Sequence, residues 1–328
     1  MAGARAIQFV EPGRVEMVDV PVRPPGAGQV VVEVLASSLC NHPERRSYHG
    51  GQRAGYGSRY PMPPGEPGHE AVGRVLALGE CVHGIAEGDL VAMTGHGGDP
   101  THRAIVLRQA NTLAVIRPDG RDLHAASILE MFGCAYHCVR AGWREPGGFD
   151  DAAVAVIGAG AIGLCSVQLL RLWPVASIAA LDVRPERLEL AGRLGATRTV
   201  PIRAGADPGD VPDGLGRFDC VVECSGSRAG HVLANALAPR TIINVSFCPE
   251  PYSVSQARWF ARGTTIYNPG VLESSELRAV AALYNRRLID PEPLISRRIA
   301  PEPEAYLEAI RAIERGEIIK ALIEWKAA

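Results

Sequence analysis

The sequence predicts an α/β protein that combines a β-rich domain with a doubly wound parallel-sheet domain. Before about residue 125, short valine-rich runs such as VVVEVLASS and EAVGRVLALG are interrupted by Gly and Pro, which favours a small barrel or sandwich. After residue 150, apolar strand-like runs alternate with helical patterns, as in βαβ units. The length of 328 residues accommodates two such domains.

The chain ends and the composition exclude several classes of protein. The first 20 residues predict two strands joined by a turn at EPG, not a signal peptide, because acidic residues follow a short apolar run. No apolar run is long enough to span a bilayer. The formal net charge of −2 gives no electrostatic basis for binding nucleic acid or an anionic membrane. We therefore expect a cytoplasmic protein with neither partner.

Cysteine usage indicates a reducing environment. The eight cysteines are scattered, several stand inside apolar runs such as FDCVVECSG, and no C-x-x-C pair occurs. This predicts reduced, buried thiols and no four-cysteine structural zinc site.

The second half of the chain divides into alternating elements. Helices are predicted at AIGLCSVQLLRLW, PERLELAGRLG, SSELRAVAALYNRR and PEAYLEAIRAIERG, and strands at AAVAVIG, SIAALDV, FDCVVECSG, TIINVSF, TTIYN and IIKALIEW. PERLELAGRLG begins with Pro and ends with Gly, the usual helix boundaries. Segment 41–68, rich in Gly, Pro and Tyr, is predicted to be a long loop, either ordered near the functional site or flexible.

A glycine-rich turn indicates dinucleotide binding. VIGAGAIGL places G-x-G-x-x-G directly after a strand and before a helix, where glycines allow the tight turn, the approach of a pyrophosphate and close helix packing. The free N–H groups at the helix N-terminus suit phosphates. The predicted cofactor-binding residues are Gly158, Gly160, Ala161, Ile162 and Gly163. The alternative is a glycine turn in an α/β domain that binds no nucleotide.

Asp182 predicts the identity of the cofactor. It ends the next strand, 19 residues after Gly163, near the usual spacing of about 20 for the carboxylate that binds the ribose hydroxyls. A carboxylate there repels the 2′-phosphate of NADP, so NAD is favoured over NADP. Arg184 and Arg187 follow and could soften this preference, and Arg187 is included among the cofactor-binding residues.

Cys40, His69 and Glu70 are candidate metal ligands. Cys40 follows a valine-rich strand, and His69 and Glu70 follow a Pro-Gly turn at the start of another. Alone, His69 would be interpreted as a turn histidine and Glu70 as a solvated acid, while Cys40 could be apolar filler or a nucleophile. Their coincidence with the dinucleotide pattern favours a metal site, because zinc accepts thiolate, imidazole and carboxylate.

Over nearly its whole length the chain resembles the zinc-dependent medium-chain dehydrogenase/reductase family, the alcohol and polyol dehydrogenases. The matching segments are Cys40 with its strand, GHEAVGRV, GDLVA, the glycine turn, PERLELAGRLGA, VVECSG and GEIIKALIEW. The resemblance implies a GroES-like catalytic domain over residues 1–135 and 273–328 and a Rossmann NAD-binding domain over 136–272. It also implies an active site between them and a homodimer or homotetramer joined through Rossmann edge strands.

The resemblance also implies a ligand set for one catalytic zinc ion. Cys40 and His69 match the first two ligands and Glu70 the neighbouring acid, which we count as both a metal ligand and a catalytic residue. The remaining ligand matches Glu130 if the loop GWREPGGFDD is longer than usual, or Cys134 if the spacing to Gly158 is fixed. We favour Glu130.

Two departures from the family pattern matter. The structural zinc lobe is absent, because MTGHGGDPTHR, residues 93–103, runs directly towards the next strand. His42 occupies the position where the family has a proton-relaying hydroxyl. It could relay the proton itself, crowd the pocket, contact a polar substrate, bind the metal, or be a loop residue without a role. His49, His96 and His102 are predicted to be loop residues, with His96 near the expected substrate cleft.

These features together predict a zinc-dependent, NAD-linked dehydrogenase. Its substrate would be a polar secondary alcohol, such as a polyol, cyclitol or sugar derivative, oxidised to a ketone or formed from it. One alternative is a zinc-free quinone or enoyl reductase of the same superfamily, although Cys40 and His69 count against it. The other is a nucleotide-binding relative without catalysis, which the altered run Cys40-Asn41-His42-Pro43-Glu44 would favour.

Overall fold

The computed structural model describes residues 3–51, 59–142, 149–203, 211, 214–237, 239–248, 250–270 and 272–326. Parts of two predicted loops, segment 41–68 and GWREPGGFDD, lie outside the described residues. The chain divides into two compact units. The first comprises Met1–Glu130 and Leu277–Ala328, and the second comprises Met131–Glu276.

Each predicted run forms the expected strand or helix, but segment 41–68, predicted to be a loop, contains a short helix, Pro43–Tyr48, because Pro43 starts it at the first helical position. The strands are Ala4–Glu11 (β1), Arg14–Val20 (β2), Gln29–Ser38 (β3), Glu70–Leu78 (β4), Leu90–Met93 (β5), Ile105–Gln109 (β6), Leu113–Val115 (β7), Ala153–Ile157 (β8), Ser177–Asp182 (β9), Arg198–Pro201 (β10), Cys220–Glu223 (β11), Thr241–Asn244 (β12), Thr265–Tyr267 (β13), Ile295–Ile299 (β14) and Lys320–Glu324 (β15). The helices are Pro43–Tyr48 (α1), Leu129–Gly142 (α2), Ala161–Leu170 (α3), Pro185–Leu194 (α4), Arg228–Leu237 (α5), Gln256–Arg262 (α6), Ser274–Asn285 (α7) and Pro303–Glu314 (α8).

The first unit is built around β3. This strand is valine-rich and buried along most of its length, as expected for a strand covered on both faces. The larger sheet has the order β14-β15-β3-β4-β5-β7, with β6 also paired to β3, while β1 and β2 form a separate antiparallel pair. Because β15 pairs directly with β3, the end of the chain lies beside the strand that leads to Cys40.

The core of the first unit joins this sheet to α8. Its buried members include Phe9, Val32, Ile310 and Trp325, and the ring of Tyr306 contacts Phe9 edge-on. PEAYLEAIRAIE places apolar residues on one face of α8 and charged residues on the other, which is the pattern of a helix packed on a core. The helix thereby covers the sheet that carries the candidate metal ligands.

The second unit is a parallel sheet of order β10-β9-β8-β11-β12-β13. The chain enters this sheet at the central strand β8 and adds β9 and β10 on one side. It then returns to the centre and adds β11, β12 and β13 on the other side. This order matches the dinucleotide-binding arrangement, with its topological switch point between β8 and β11. The predicted fold class, a GroES-like β unit combined with a Rossmann sheet, is confirmed.

No helix in the described ranges is long and apolar enough to cross a membrane. All eight cysteines have free thiols, and Cys138, Cys165, Cys220 and Cys224 are buried as predicted. Cys81 is exposed, so the prediction of burial is wrong for that residue.

Candidate functional site

Three candidate ligands meet at one end of the β3–β4 pair. Cys40 follows β3, His69 precedes β4, and Glu70 is the first residue of β4, opposite Ser38 in the antiparallel ladder. One donor atom from each of Cys40, His69 and Glu70 lies within 4.8 Å of the other two. The two strand ends therefore bring together residues that are about 30 positions apart in the sequence.

The His69 ring is fixed by a backbone contact. Its Nδ1 donates to the carbonyl of Pro67 at 2.9 Å, which leaves Nε2, 3.8 Å from Glu70 Oε1, for the centre. Metal-binding histidines commonly have such a partner on their second nitrogen. Although burial lowers the pKa of His69, the adjacent Cys40 and the Glu130 and Glu70 carboxylates raise it well above its usual value.

Burial raises the pKa of the Cys40 thiol, while the His69 imidazole and the Lys320 ammonium group lower it. A thiol, an imidazole and a carboxylate at close range form a donor set that suits zinc. Metal binding favours the thiolate, because it supplies the positive charge that burial otherwise denies this group. The residues present therefore fit a zinc ion.

Glu70 is held by a buried lysine that sequence reasoning did not identify. Lys320 Nζ lies 2.8 Å from Glu70 Oε1 and 2.7 Å from Oε2, and it donates to the carbonyl of Leu39 at 2.7 Å. Ser38 Oγ also donates to Glu70 Oε2. Burial raises the pKa of Glu70, but Lys320, His69 and Ser38 outweigh this effect and lower it below its usual value.

Glu130, the favoured remaining ligand, lies in the first turn of α2 and is 6% exposed. Its charge contributes to the raised pKa of His69, which places its carboxylate in the electrostatic surroundings of that ring. The group within 4.8 Å nevertheless comprises only Cys40, His69 and Glu70 among the described residues. Cys134 belongs to the second unit, and the choice between Glu130 and Cys134 stays a prediction.

His42 precedes α1 at its N-cap and is exposed. The same short helix contains Glu44, whose Oε1 accepts a hydrogen bond from His102 Nε2 at 3.1 Å. His102 Nδ1 in turn lies 2.9 Å from Ser37 Oγ, which accepts from Trp325 Nε1 at 3.0 Å. His102 lies in a loop as predicted, yet it is fully buried and connects α1 to β3.

The other two histidines interpreted as loop residues are exposed. His49 Nε2 lies 2.5 Å from Glu314 Oε1 on α8. The carbonyl of His96 accepts from the guanidinium of Arg108.

The glycine turn is closely packed at two of its three glycines. Gly158 has a φ of +91°, and a side chain on it would approach Ser225 N to 2.8 Å. A side chain on Gly163 would approach the carbonyl oxygen of Gly158 to 1.9 Å. Both positions therefore require glycine, and α3 begins at Ala161, immediately beyond the turn.

Asp182 is connected to this turn. The backbone N–H of Ala159 donates to its Oδ2 at 2.6 Å, and that of Arg184 donates to Oδ1 at 2.9 Å. Each carboxylate oxygen has a second lone pair, so ribose hydroxyls can still bind. Arg187 Nη1 would lie 3.7 Å from a Cβ atom at Gly160, and burial lowers the pKa of its guanidinium.

A second carboxylate that sequence reasoning missed supports the same region. Glu223 ends β11 and is fully buried, and its Oε1 accepts from the N–H of Ser225 at 2.9 Å and from the Ser225 hydroxyl. Its Oε2 accepts from Ser246 Oγ and lies 3.1 Å from His231 Nε2. Ser246 Oγ accepts from Gly226 N at 2.8 Å. The Glu223 carboxylate thus ties together the two loops that follow β11 and β12.

Lys320 and Glu223 share a feature that could have identified them. Each is a charged residue at the boundary of an apolar strand run, in IIKALIEW and DCVVECSG. Such residues are rarely buried unless they are paired, so their position suggests a partner. The sequence does not indicate which partner, because Lys320 and Glu70 are 250 positions apart.

Comparison with known proteins agrees with this geometry. Residues 26–154 match the alcohol dehydrogenase GroES-like domain, and residues 161–286 match the zinc-binding dehydrogenase domain. The L-threonine 3-dehydrogenase of Solibacter usitatus is 30% identical over 66% of this chain and 69% of its own length. That of Streptomyces coelicolor is 27% identical over 97% of both chains.

Galactitol-1-phosphate dehydrogenase from Escherichia coli has the same fold, with a TM-score of 0.80 at 20% identity, covering 98% of this chain and 99% of its own. A GroES-like unit followed along the chain by a parallel dinucleotide-binding sheet defines a medium-chain dehydrogenase/reductase. The chain belongs to the zinc-binding alcohol dehydrogenases of that family. The protein is accordingly an oxidoreductase of the alcohol dehydrogenase type, which acts on CH–OH groups.

Proposed function

We propose that the protein is an NAD-linked, zinc-dependent dehydrogenase that interconverts a polar secondary alcohol and its ketone. The observation that carries this proposal is the grouping of Cys40, His69 and Glu70 within 4.8 Å. These are the donor types of a catalytic zinc site. The buried Asp182 beside the glycine turn supports NAD as the hydride acceptor, because its charge opposes a 2′-phosphate.

Cys40, His69, Glu70 and Glu130 would hold the zinc ion. When bound, zinc would polarise the substrate oxygen and make an alcohol more acidic. Glu70, held by Lys320 and Ser38, would place a negative charge beside His69 and increase its basicity. Asp182 would hold the cofactor through its ribose hydroxyls, and the cofactor would supply the hydride acceptor.

His42 would move the proton. It stands two residues after Cys40, at the N-cap of α1, and the Glu44–His102 contact fixes that helix against β3. His42→Ala is expected to lower kcat by about 10²-fold or more. His42→Ser, which restores a hydroxyl, should recover part of the activity. Wild-type kcat in both variants would assign His42 to the loop alone.

The proposed substrate class is supported by the choice of Glu130 as a ligand and by the relatives. Two relatives are named L-threonine 3-dehydrogenase and one structural neighbour galactitol-1-phosphate dehydrogenase, names that denote substrates with several polar groups. We propose a substrate with at least one polar group beside the reacting hydroxyl. A panel of polyols, cyclitols, sugar derivatives and hydroxy amino acids, followed by NADH absorbance, identifies it.

The decisive experiment combines metal content with turnover. Protein purified without chelator should contain about one zinc ion per chain, and Cys40→Ala should abolish both zinc binding and turnover while NAD binding persists. Cys81→Ala is the matched control, because Cys81 is an exposed thiol of the same unit and its removal should change nothing. Activity that survives in Cys40→Ala would overturn the proposal.

The two alternatives give different results in the same assay. A zinc-free quinone or enoyl reductase would contain no stoichiometric zinc and would oxidise NAD(P)H with a quinone or enone. A nucleotide-binding relative without catalysis would bind NAD and turn over no member of either panel.

The proposal includes assembly and location. β13 is the last strand of its sheet among the described residues, and pairing through this edge would give a homodimer, or a homotetramer by a further contact. Sedimentation of the purified protein measures the subunit number, and cell fractionation tests the expected cytoplasmic location.

A further inference from the structure

The fully buried Arg108 contacts the segment that follows β5. In the family pattern this segment carries the structural zinc lobe that the present sequence lacks. Arg108 lies in β6 and pairs with Val30 of β3, so its backbone belongs to the central sheet. Its Nη1 donates to the carbonyl of Asp99 at 2.6 Å, and its Nη2 donates to the carbonyls of Thr94 and His96. One guanidinium thus connects three carbonyls of the segment 94–99.

Backbone contacts hold the same segment along β6. The N–H of Asp99 donates to the carbonyl of Leu107 at 3.0 Å, and that of Gln109 donates to the carbonyl of Gly97 at 2.6 Å. The carboxylate of Asp99 accepts from the N–H of Leu107 at 2.9 Å. Segment 94–99 is therefore held to β6 both by these backbone contacts and by the Arg108 side chain.

The contacts of Arg108 are unusual for a buried cation. Burial lowers its pKa to about 10, which still leaves it charged at neutral pH. The Asp99 carboxylate raises this pKa in part, but the hydrogen bonds of Arg108 go to three backbone carbonyls, whose acceptors it satisfies. A planar guanidinium can span three carbonyls at fixed angles, whereas a lysine ammonium cannot.

The fastened segment contacts a candidate metal ligand. Gly95 lies against His69, and a side chain on Gly95 would place its Cβ atom 2.9 Å from Cβ of His69. The imidazole is therefore confined between Pro67, which accepts from its Nδ1, and the segment that Arg108 holds. Movement of the segment would change the space available to the ring.

We propose that Arg108 is a positioning residue for the metal centre: it fixes segment 94–99 by three carbonyl contacts, and the segment fixes His69 through Gly95. The inference rests on the proposed function, because it assigns His69 to a zinc ion.

The test measures metal release, not activity. Zinc-loaded protein is mixed with a chromogenic chelator at pH 7, and the absorption spectrum of the Co²⁺-substituted protein is recorded in parallel. Arg108→Met and Gly95→Ala should each release zinc about tenfold faster or more, as for other residues that support a metal ligand, and should alter the Co²⁺ spectrum. Arg108→Lys should be intermediate.

Val106→Ala is the matched control. Val106 is a buried core residue of β6, so its truncation destabilises the same strand without removing a contact to segment 94–99. Zinc release from Arg108→Met at the rate of Val106→Ala would overturn the inference. If Arg108→Met does not fold, Arg108→Lys decides by the same criterion, because it removes the planar contact to the three carbonyls and keeps the charge. Wild-type protein that binds no zinc would instead overturn the proposed function, and with it the role of Arg108.

Discussion

Lys320 Nζ lies 2.7 Å from Glu70 Oε2, and both side chains are 1% exposed. The two residues belong to β15 and β4, which lie on either side of β3 in the sheet. Their ion pair therefore crosses β3 at the point where the chain turns towards Cys40. The Lys320 ammonium group thus compensates the negative charge of Glu70 whether or not a metal ion is bound.

Lys320→Met should destabilise the first unit by about 3–5 kcal/mol, because it leaves the Glu70 carboxylate buried without its cation. The double variant Lys320→Met/Glu70→Gln should recover part of this loss, since neither charge then remains. Urea unfolding measures both. Lys326→Met is the control, because its ion pair with Glu33 is exposed on the lysine side and should contribute less than about 1 kcal/mol. Equal stabilities of the two single variants would refute the importance of the buried pair.

Asp182→Asn should weaken NAD binding about tenfold to a hundredfold, because the ribose loses hydrogen bonds to a charged acceptor. The same variant should bind NADP more tightly than the wild type does, since the repulsion of the 2′-phosphate is removed. Isothermal titration with each dinucleotide measures both effects. Glu186→Gln, which removes an exposed acid of α4, should leave both affinities unchanged. A loss no larger than in Glu186→Gln would contradict the assignment of Asp182.

Glu223→Gln should raise the Kd for NAD about tenfold. An amide cannot accept from Ser225 and Ser246 at both positions, so the loops after β11 and β12 lose their common anchor beside Gly158. Zinc content should stay at the wild-type value, because the proposed metal ligands Cys40, His69, Glu70 and Glu130 belong to the other unit. Glu250→Gln, at an exposed acid in the loop after β12, is the control. Wild-type affinity in Glu223→Gln would show that the anchor is dispensable.

Glu276→Gln should destabilise the second unit by about 1–2 kcal/mol at pH 7. Burial raises the pKa of Glu276, but hydrogen bonds from His137, the backbone of Glu273 and Ser275 lower it below its ordinary value of 4.5. A lowered pKa contributes stability above the unfolded value that disappears as pH falls through the folded one. The difference from wild type in urea unfolding should therefore shrink below about pH 4.5. Glu273→Gln, at an exposed neighbour, should show no difference at either pH.

Much of the fold was predictable because the local patterns agree with it. The continuous apolar run of β8, the glycine turn and the Pro and Gly boundaries of α4 each specify a local conformation. Their order along the chain then restricts the topology to a parallel sheet with right-handed crossovers. Cys40 and His69 could be predicted as candidate ligands of one site because each stands beside a recognisable strand, and their donor atoms do lie close together.

The supporting residues of the site could not be predicted in the same way. Lys320 with Glu70 and Arg108 with segment 94–99 are pairings that only the packed sheet creates. A single sequence shows that a charged residue interrupts an apolar run, but its partner depends on strand order and register. His102 illustrates the same limit, since its loop position was evident and its burial against Glu44 and Ser37 was not.

The position of β15 has a consequence for the order in which the protein matures. Cys40, His69 and Glu70 leave the ribosome early, but the ammonium group that holds Glu70 is supplied by residue 320 of 328. Until β15 inserts beside β3, the nascent chain lacks the ammonium group that pairs with this buried acid. The proposed metal centre is therefore completed only after the Rossmann sheet has been synthesised, so a chain terminated before β15 keeps its candidate ligands without Lys320.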